Sequence, residues 1–335
     1  MNKCNLKKSL LLRPIAALCG VWISNWSLAG CVSDGARSNE QSNSDESVDT
    51  PEDANLTADL AAEIGSSYVL NGADSAVTHT VKFSSPIGQA CSGVMIHPKV
   101  MLTAKHCFRR LPGAQNEGKM FPEGESFSGT MRTNVAANSL INFTGNAYYD
   151  PTNVPNSPNT AITCADDFAV VKITAIDVAF PGSTVKVDTG TIPLPSTVSA
   201  YGWGKVSLAP EVGTSKLRKW DFALTAVQST ILVANVSGGI NGHGVCIGDS
   251  GGPAAVTRTI SGVSYQAVRG IESQASKLVS GCSTSDDNID VAGIQQPIVC
   301  WARVSENQRT DVLVDKAGLI CTEVVPNAKV WTCRP

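Results

Sequence analysis

Short apolar segments separated by turn residues run through the chain from Val69 onward, and they constrain its fold more than any other feature. The segments are four to eight residues long and rich in Val, Ile and Thr, which is typical of β-strands. The clearest predicted strands are Thr80–Phe83, Gly93–Ile96, Val100–Ala104, Phe168–Ala175, Thr197–Tyr201 and Ala267–Glu272. One amphipathic helix is predicted, over 304–318. This pattern indicates an all-β sandwich or barrel, and periodicity alone does not choose between them.

Composition excludes several other classes of protein. Of the 335 residues, 16% are charged and 42% are hydrophobic, which argues against disorder over most of the chain and against a coiled coil. The net charge of −3 gives no reason to expect a nucleic-acid partner. The eleven cysteines lack the paired CxxC clusters of zinc sites, so they indicate an oxidising, exported environment.

The N-terminus supports export. Lys3, Lys7, Lys8 and Arg13 form a basic head, and residues 15–23 form a mostly apolar core. That core is too short to span a bilayer, which needs about 20 residues. Its size is typical of a signal peptide, which we assign to residues 1–30.

The end of this signal resembles a bacterial lipobox, with the sequence LAGC at 28–31. In lipoproteins of that kind the cysteine, here Cys31, receives a lipid and becomes the new N-terminus. Ordinary cleavage after Ala29 is the alternative, because SLA also fits the rule for small residues at a cleavage site. We favour the lipoprotein, and by the same resemblance Val32 after the cysteine implies the outer membrane. The alternative to an outer-membrane lipoprotein is a protein that is released to the periplasm or the medium after processing. A lipid on Cys31 is the only contact with a membrane that we expect.

Residues 31–68 differ from the rest of the chain in composition. Residues 32–68 contain nine acids and one base, and large apolar residues are scarce in their first half. Such a segment cannot bury enough surface to offset the entropy of ordering it, so we predict an acidic flexible tether and propeptide. The folded domain is predicted over 69–318, followed by a cysteine-containing extension over 319–335.

Three short motifs suggest nucleophilic chemistry. The hexapeptide GDSGGP at 248–253 places Ser250 among glycines, where side chains do not crowd its approach. LTAKHC at 102–107 ends a predicted strand with His106, and DFAVV at 167–171 opens another with Asp167. Alone, each motif has a simpler explanation as a turn or a surface residue. Together they favour a catalytic triad.

With these motifs the sequence resembles the trypsin/chymotrypsin family of serine proteases over about 69–318. GWG at 202–204, GIES at 270–273 and VLNG at 69–72 extend the resemblance. It implies two six-stranded antiparallel β-barrels packed together, with a short C-terminal helix. It also implies a serine endopeptidase that acts as a monomer on protein or peptide substrates and needs no cofactor or metal. A lipid-anchored pseudoprotease that only binds a partner is the alternative function.

By the same resemblance His106 is the general base, Asp167 orients it and Ser250 is the nucleophile. Asp166 is the rival for the acid's role, but the family's acid directly precedes the apolar-Ala pair, which selects Asp167. The resemblance further implies an oxyanion hole formed by the N–H groups of Gly248 and Ser250.

Activation is implied by resemblance too. Asp249 is expected to be buried and to pair with the ammonium that is released by cleavage before Val69. Because Tyr68 precedes that bond, an activity that cleaves after aromatic residues, or one of broad specificity, is expected to perform the cleavage.

The resemblance pairs Cys91 with Cys107 and Cys246 with Cys282. Four further cysteines allow three connectivities: Cys164, Cys300, Cys321 and Cys333. Among these we favour Cys321–Cys333 together with Cys164–Cys300.

The substrate pocket is also assigned by resemblance. Gly244 lies at its base, where an acid would select Arg or Lys, and Val245 makes that base apolar. Ala275 and Val299 form its walls, beside Ser273 and Gln274 of the substrate-binding strand. Because both wall residues are larger than glycine, small or aliphatic residues are expected before the cleaved bond. Lys105 replaces a small residue of the family, and of its two possible orientations we expect the one toward solvent.

Overall fold

The computed structural model describes residues 73–110, 119–135, 140–150, 162–204, 216–235, 245, 248–275 and 298–335. The predicted signal peptide, the tether, Val69, Gly244 and the Cys246–Cys282 pair lie outside the described residues.

Strands dominate the described chain. In order they are β1 Ala73–Asp74, β2 Thr80–Ser84, β3 Ala90–His97, β4 Val100–Thr103, β5 Ser126–Arg132, β6 Ile141–Tyr149, β7 Ala169–Ile176, β8 Lys186–Asp188, β9 Thr197–Gly202, β10 Arg218–Val227, β11 Ile231–Asn235, β12 Pro253–Ile260, β13 Val263–Ala275, β14 Ile298–Arg303, β15 Ile320–Glu323 and β16 Val330–Arg334. Two 3₁₀ turns, Lys105–Phe108 and Cys164–Asp166, and one helix, Gln308–Lys316, complete the elements. All six predicted strands and the predicted helix are confirmed to within a few residues.

The first barrel closes in the order β2-β3-β4-β7-β6-β5. In β6 every second residue is buried, because successive side chains of a strand point to opposite faces. The interior is filled by aromatic rings, with Phe108 at 5.4 Å from Tyr149 and 5.7 Å from Phe127 between ring centroids. These contacts place the 3₁₀ turn that follows β4 directly against the barrel core.

The second barrel is the closed ring β9-β10-β11-β14-β13-β12. Its core contains Trp301 and Phe222, whose rings meet edge to face at 5.3 Å. The prediction of two six-stranded antiparallel barrels is therefore confirmed. Its sheet continues from β13 through β8 and β16 to β15, so the C-terminal extension forms part of the same sheet.

Three disulfide bonds join the described cysteines. Cys91–Cys107 links β3 to the turn after β4, and Cys164–Cys300 links the loop before β7 to β14. Cys321–Cys333 joins opposed residues of β15 and β16. All three pairings agree with the sequence-based prediction. Among the described residues, no helix is long and apolar enough to cross a membrane.

Candidate active site

His106 lies on the 3₁₀ turn Lys105–Phe108, immediately after β4. The disulfide of its neighbour Cys107 fixes this turn to β3, and buried Phe108 fixes it to the core. The imidazole itself remains partly accessible, with 27% of the side chain exposed. The histidine therefore has a rigid backbone and a ring that a ligand can reach.

Asp167 follows the second 3₁₀ turn, which Cys164 ties to β14 of the other barrel. Its side chain is completely buried and holds His106 at two points. Asp167 Oδ2 lies 2.6 Å from His106 Nδ1, and the backbone N–H of His106 donates to Oδ1 at 2.8 Å. Asp166 instead accepts a hydrogen bond from Thr163 Oγ1 at 2.7 Å. The structure thus brings Asp167, and not its neighbour, to the histidine through these contacts.

A third group reaches Asp167 from the second barrel. Ser273 Oγ on β13 donates to Asp167 Oδ2 at 2.6 Å. Burial alone would raise the pKa of Asp167, but the charge of His106 and the hydrogen bonds from His106 and Ser273 outweigh it. The net pKa is lowered, so the carboxylate is ionised beside the imidazole. Ser273 was expected to contact substrate, and its hydroxyl contacts the acid.

Ser250 lies on a turn held by both barrels. Its carbonyl oxygen accepts from the backbone N–H of Ser92 in β3 at 2.8 Å. The same oxygen is 3.9 Å from Cys107 Sγ, and Cys107 directly follows His106. On the other side, Gly251 donates its N–H to the Glu272 carbonyl at 2.8 Å. Ser250 is half-buried and lies beside the histidine's turn.

Two glycines of this turn are required by its backbone. Gly248 has φ of +99° and Gly251 has φ of +85°, conformations that residues with side chains rarely adopt. A Cβ at Gly251 would also overlap the carbonyl oxygen of Ser92. The Gly248 carbonyl accepts from Ser92 Oγ at 2.8 Å, which fixes the orientation of this peptide group.

Asp249 is buried, as expected, beneath the same turn. Its Oδ1 accepts the backbone N–H of Gly204 at 2.7 Å. A Cβ at Gly202 would overlap this carboxylate, so the glycines of GWG provide the space that Asp249 occupies. Between them, Trp203 is buried and donates its indole N–H to the Thr80 carbonyl at 3.2 Å.

The expectation that Lys105 points to solvent is wrong. Its side chain is completely buried, and Nζ donates to the carbonyl oxygen of Asp150 at 3.0 Å. Burial lowers the pKa of Lys105, and the carboxylates of Asp150, Asp166 and Asp167 oppose this shift. The three acids supply the electrostatic compensation that a buried ammonium requires.

Glu272 is a feature that sequence reasoning missed. It is buried on β13 next to Ser273, and no described group bonds its Oε2. Burial, then the charges of Asp249 and Asp167, raise the pKa of Glu272 well above its usual value. An acid in the place of an apolar strand residue could have signalled this site, but its sequence neighbours do not indicate burial beside two other acids.

Two described residues that were assigned to the pocket, Val245 and Val299, are apolar and buried. Val245 and Val299 are buried in one cluster with Trp301, and Val299 is paired across strands with Ala275. Gln274 opposes Cys300 in the same pair of strands. Ala275 and Val299, which were assigned to the pocket walls, therefore lie on neighbouring strands.

This arrangement suits proton transfer. An imidazole with one nitrogen bonded to a buried carboxylate has a defined tautomer and can accept a proton at the other nitrogen. Within the described ranges, no group of three or more His, Cys, Asp or Glu residues could hold a metal ion.

A protein-family model described as Trypsin matches residues 70–286 of the chain.

Proposed function

Because the chain belongs to the trypsin family, we propose that it is a serine endopeptidase that cleaves peptide bonds through an acyl-enzyme on Ser250. The observation that supports this most strongly is the double contact of Asp167 with His106, at 2.6 and 2.8 Å. A carboxylate that binds both the ring and the backbone of one histidine fixes its tautomer and its orientation.

In the proposed mechanism, His106 Nε2 accepts the proton of Ser250 Oγ as this oxygen attacks the substrate carbonyl. The resulting imidazolium is stabilised by Asp167, which stays ionised. His106 then protonates the leaving amine, and the C–N bond breaks to give the acyl-enzyme. Water attacks the ester in the same way, with His106 again as base, and Ser250 recovers its proton.

The proposed oxyanion hole consists of the backbone N–H groups of Gly248 and Ser250. Both belong to the turn that Ser92 and Asp249 hold in place. Donors that are fixed before the reaction cost no reorganisation when charge develops, and one such donor contributes about 3–4 kcal/mol to transition-state stabilisation.

Activation would follow cleavage between Tyr68 and Val69. The buried Asp249 carboxylate supports this proposal, since an ammonium paired with it would be linked directly to the oxyanion turn.

With a lipid on Cys31, the precursor would be held at the outer membrane and cleavage would release the domain to the periplasm or medium. Mass spectrometry of the mature N-terminus tests lipidation and cleavage together. Full activity in a chain that retains residues 32–68 would contradict the activation step.

The proposed preference is for small or aliphatic residues before the cleaved bond. It is supported by the buried, apolar Val245 and Val299. A cationic side chain would lose its hydration in such a pocket without gaining a partner there. Cleavage profiles on a peptide library test this, and dominant cleavage after Arg or Lys would show that the pocket assignment from Gly244 is wrong.

Active-site labelling tests the activity itself. A fluorophosphonate probe should label the processed protein, and Ser250→Ala and His106→Ala should abolish labelling. The matched controls Ser128→Ala and His97→Ala alter a serine and a histidine outside the site and should label normally. Absence of labelling in the processed wild type would favour the non-catalytic binding module.

A further inference from the structure

We propose that Lys105 is a positioning residue for the His106–Asp167 pair. This inference rests on the proposed protease function. Lys105 precedes His106 in the chain, and its side chain turns inward to the end of β6. Because its Nζ donates to Asp150, whose N–H donates to the residue that follows Asp167, we expect Lys105 to act on the reaction through the histidine and the acid.

A closed ring of bonds connects these residues. Lys105 Nζ donates to the Asp150 carbonyl at 3.0 Å, and the Asp150 N–H donates to the Phe168 carbonyl at 3.1 Å. Phe168 is covalently joined to Asp167, which accepts the His106 N–H at 2.8 Å, and His106 is joined to Lys105. The ring fixes the separation of the two short segments that present the histidine and the acid.

More acidic than basic groups surround this ring of bonds. Asp150, Asp166 and Asp167 raise the pKa of Lys105 from two neighbouring loops, and Lys316 opposes them. Lys316 is engaged at 2.7 Å with Glu123. Asp167 in turn raises the pKa of Glu272 on β13, together with burial and Asp249. Lys105 thus offsets the acids immediately behind the imidazole.

Stability alone does not account for a lysine at this position. Apolar residues of similar volume often replace buried ionic groups with no loss of stability, or with a gain. A positive charge buried next to His106 in the chain would, however, disfavour the imidazolium, because like charges repel. Removal of this charge should therefore raise the pKa of His106, while removal of the bond to Asp150 should loosen the His–Asp geometry.

The test compares Lys105→Met with Lys172→Met. Lys172 also donates Nζ to a backbone carbonyl, that of Ala317 at 3.1 Å, but at the C-terminal helix. In Lys105→Met we expect kcat to fall about 10- to 100-fold with little change in KM. In the pH profile of kcat/KM, the acid limb should move to higher pH by about half a unit to one unit. Lys172→Met, which removes a less buried lysine, should show neither change.

Two further variants separate charge from folding. Lys105→Arg keeps the charge and should restore the position of the acid limb. Lys105→Gln keeps a donor without the charge and should show the shifted limb. The proposal is overturned if Lys105→Met and Lys105→Gln retain the wild-type profile, or if both fail to fold while Lys172→Met folds. Failure of the wild type to hydrolyse peptides would instead reject the proposed function.

Discussion

Single side chains link the two barrels at the candidate active site. Ser273 extends from β13 to the carboxylate of Asp167, which precedes β7. Ser92 extends in the opposite direction, from β3, and its Oγ donates to the Gly248 carbonyl. The same Oγ accepts the backbone N–H of Trp203 at 3.0 Å. Each barrel therefore positions groups that belong to the other.

Replacement of Ser273 by Ala should lower kcat about tenfold. A hydrogen bond to a charged group contributes roughly 1.5–3 kcal/mol, and part of it stabilises the ion pair that forms in the transition state. Steady-state kinetics measure the effect, with Ser264→Ala on the same strand as control. A kcat equal to that of the wild type would show that the 2.6 Å contact has no role in catalysis.

His79 should make the fold sensitive to acid. Burial lowers its pKa from 6.5 to about 4, so in this pH interval the unfolded chain binds a proton that the folded chain does not. Stability therefore falls as the pH decreases from 6.5 to 4, by about 3 kcal/mol at 1.36 kcal/mol per unit. Urea unfolding across this range should show that His79→Gln loses less unfolding free energy on acidification than the wild type or His97→Gln. Parallel curves for all three proteins would contradict the prediction.

Among the elements, the C-terminal hairpin β15–β16 is an integral part of the second sheet. β16 pairs with β8, and Trp331 donates its indole N–H to Thr189 Oγ1 at 3.0 Å. The guanidinium of Arg309 lies 4.0 Å from the centroid of the same ring. The hairpin thus connects the C-terminal helix with the strand that neighbours β13.

Trp331→Ala should lower the free energy of unfolding by about 2 kcal/mol, because it removes one hydrogen bond and one cation–π contact. Ile320→Ala is the matched control on the same hairpin, since Ile320 is 57% exposed and its truncation should change stability by less than about 0.5 kcal/mol. Denaturant unfolding compares the two. Equal effects would show that the indole contacts do not anchor the hairpin.

Local patterns predicted the strands well because alternation and turn residues are properties of neighbouring positions. They did not predict that β16 pairs with β8, whose three residues lie more than 140 positions earlier in the chain. The same restriction to neighbouring positions explains which features of the candidate active site could be predicted. The motifs around His106 and Asp167 are local, whereas the burial of Lys105 depends on Asp150, which only the folded barrel brings within 3.0 Å.

At the scale of the whole molecule, Cys164–Cys300 is the covalent link between the barrels among the described disulfides. It closes a separation of 136 residues, whereas Cys321–Cys333 closes 12. Chain entropy predicts that the free energy of unfolding falls by about 5 kcal/mol without Cys164–Cys300 and by about 3 kcal/mol without Cys321–Cys333. Denaturant unfolding of the two double Cys→Ser variants should show the larger loss for Cys164–Cys300. The reverse order would mean that native contacts, rather than loop length, decide the contributions.

The exchange of side chains between the barrels makes the proposed activity depend on the folding of both barrels. A chain in which one barrel has formed and the other has not lacks either the support for Asp167 or the turn that presents Ser250. Such a partly folded molecule cannot assemble the proposed triad. The proposed proteolytic activity is therefore expected only after both barrels have formed, independently of the proposed cleavage before Val69.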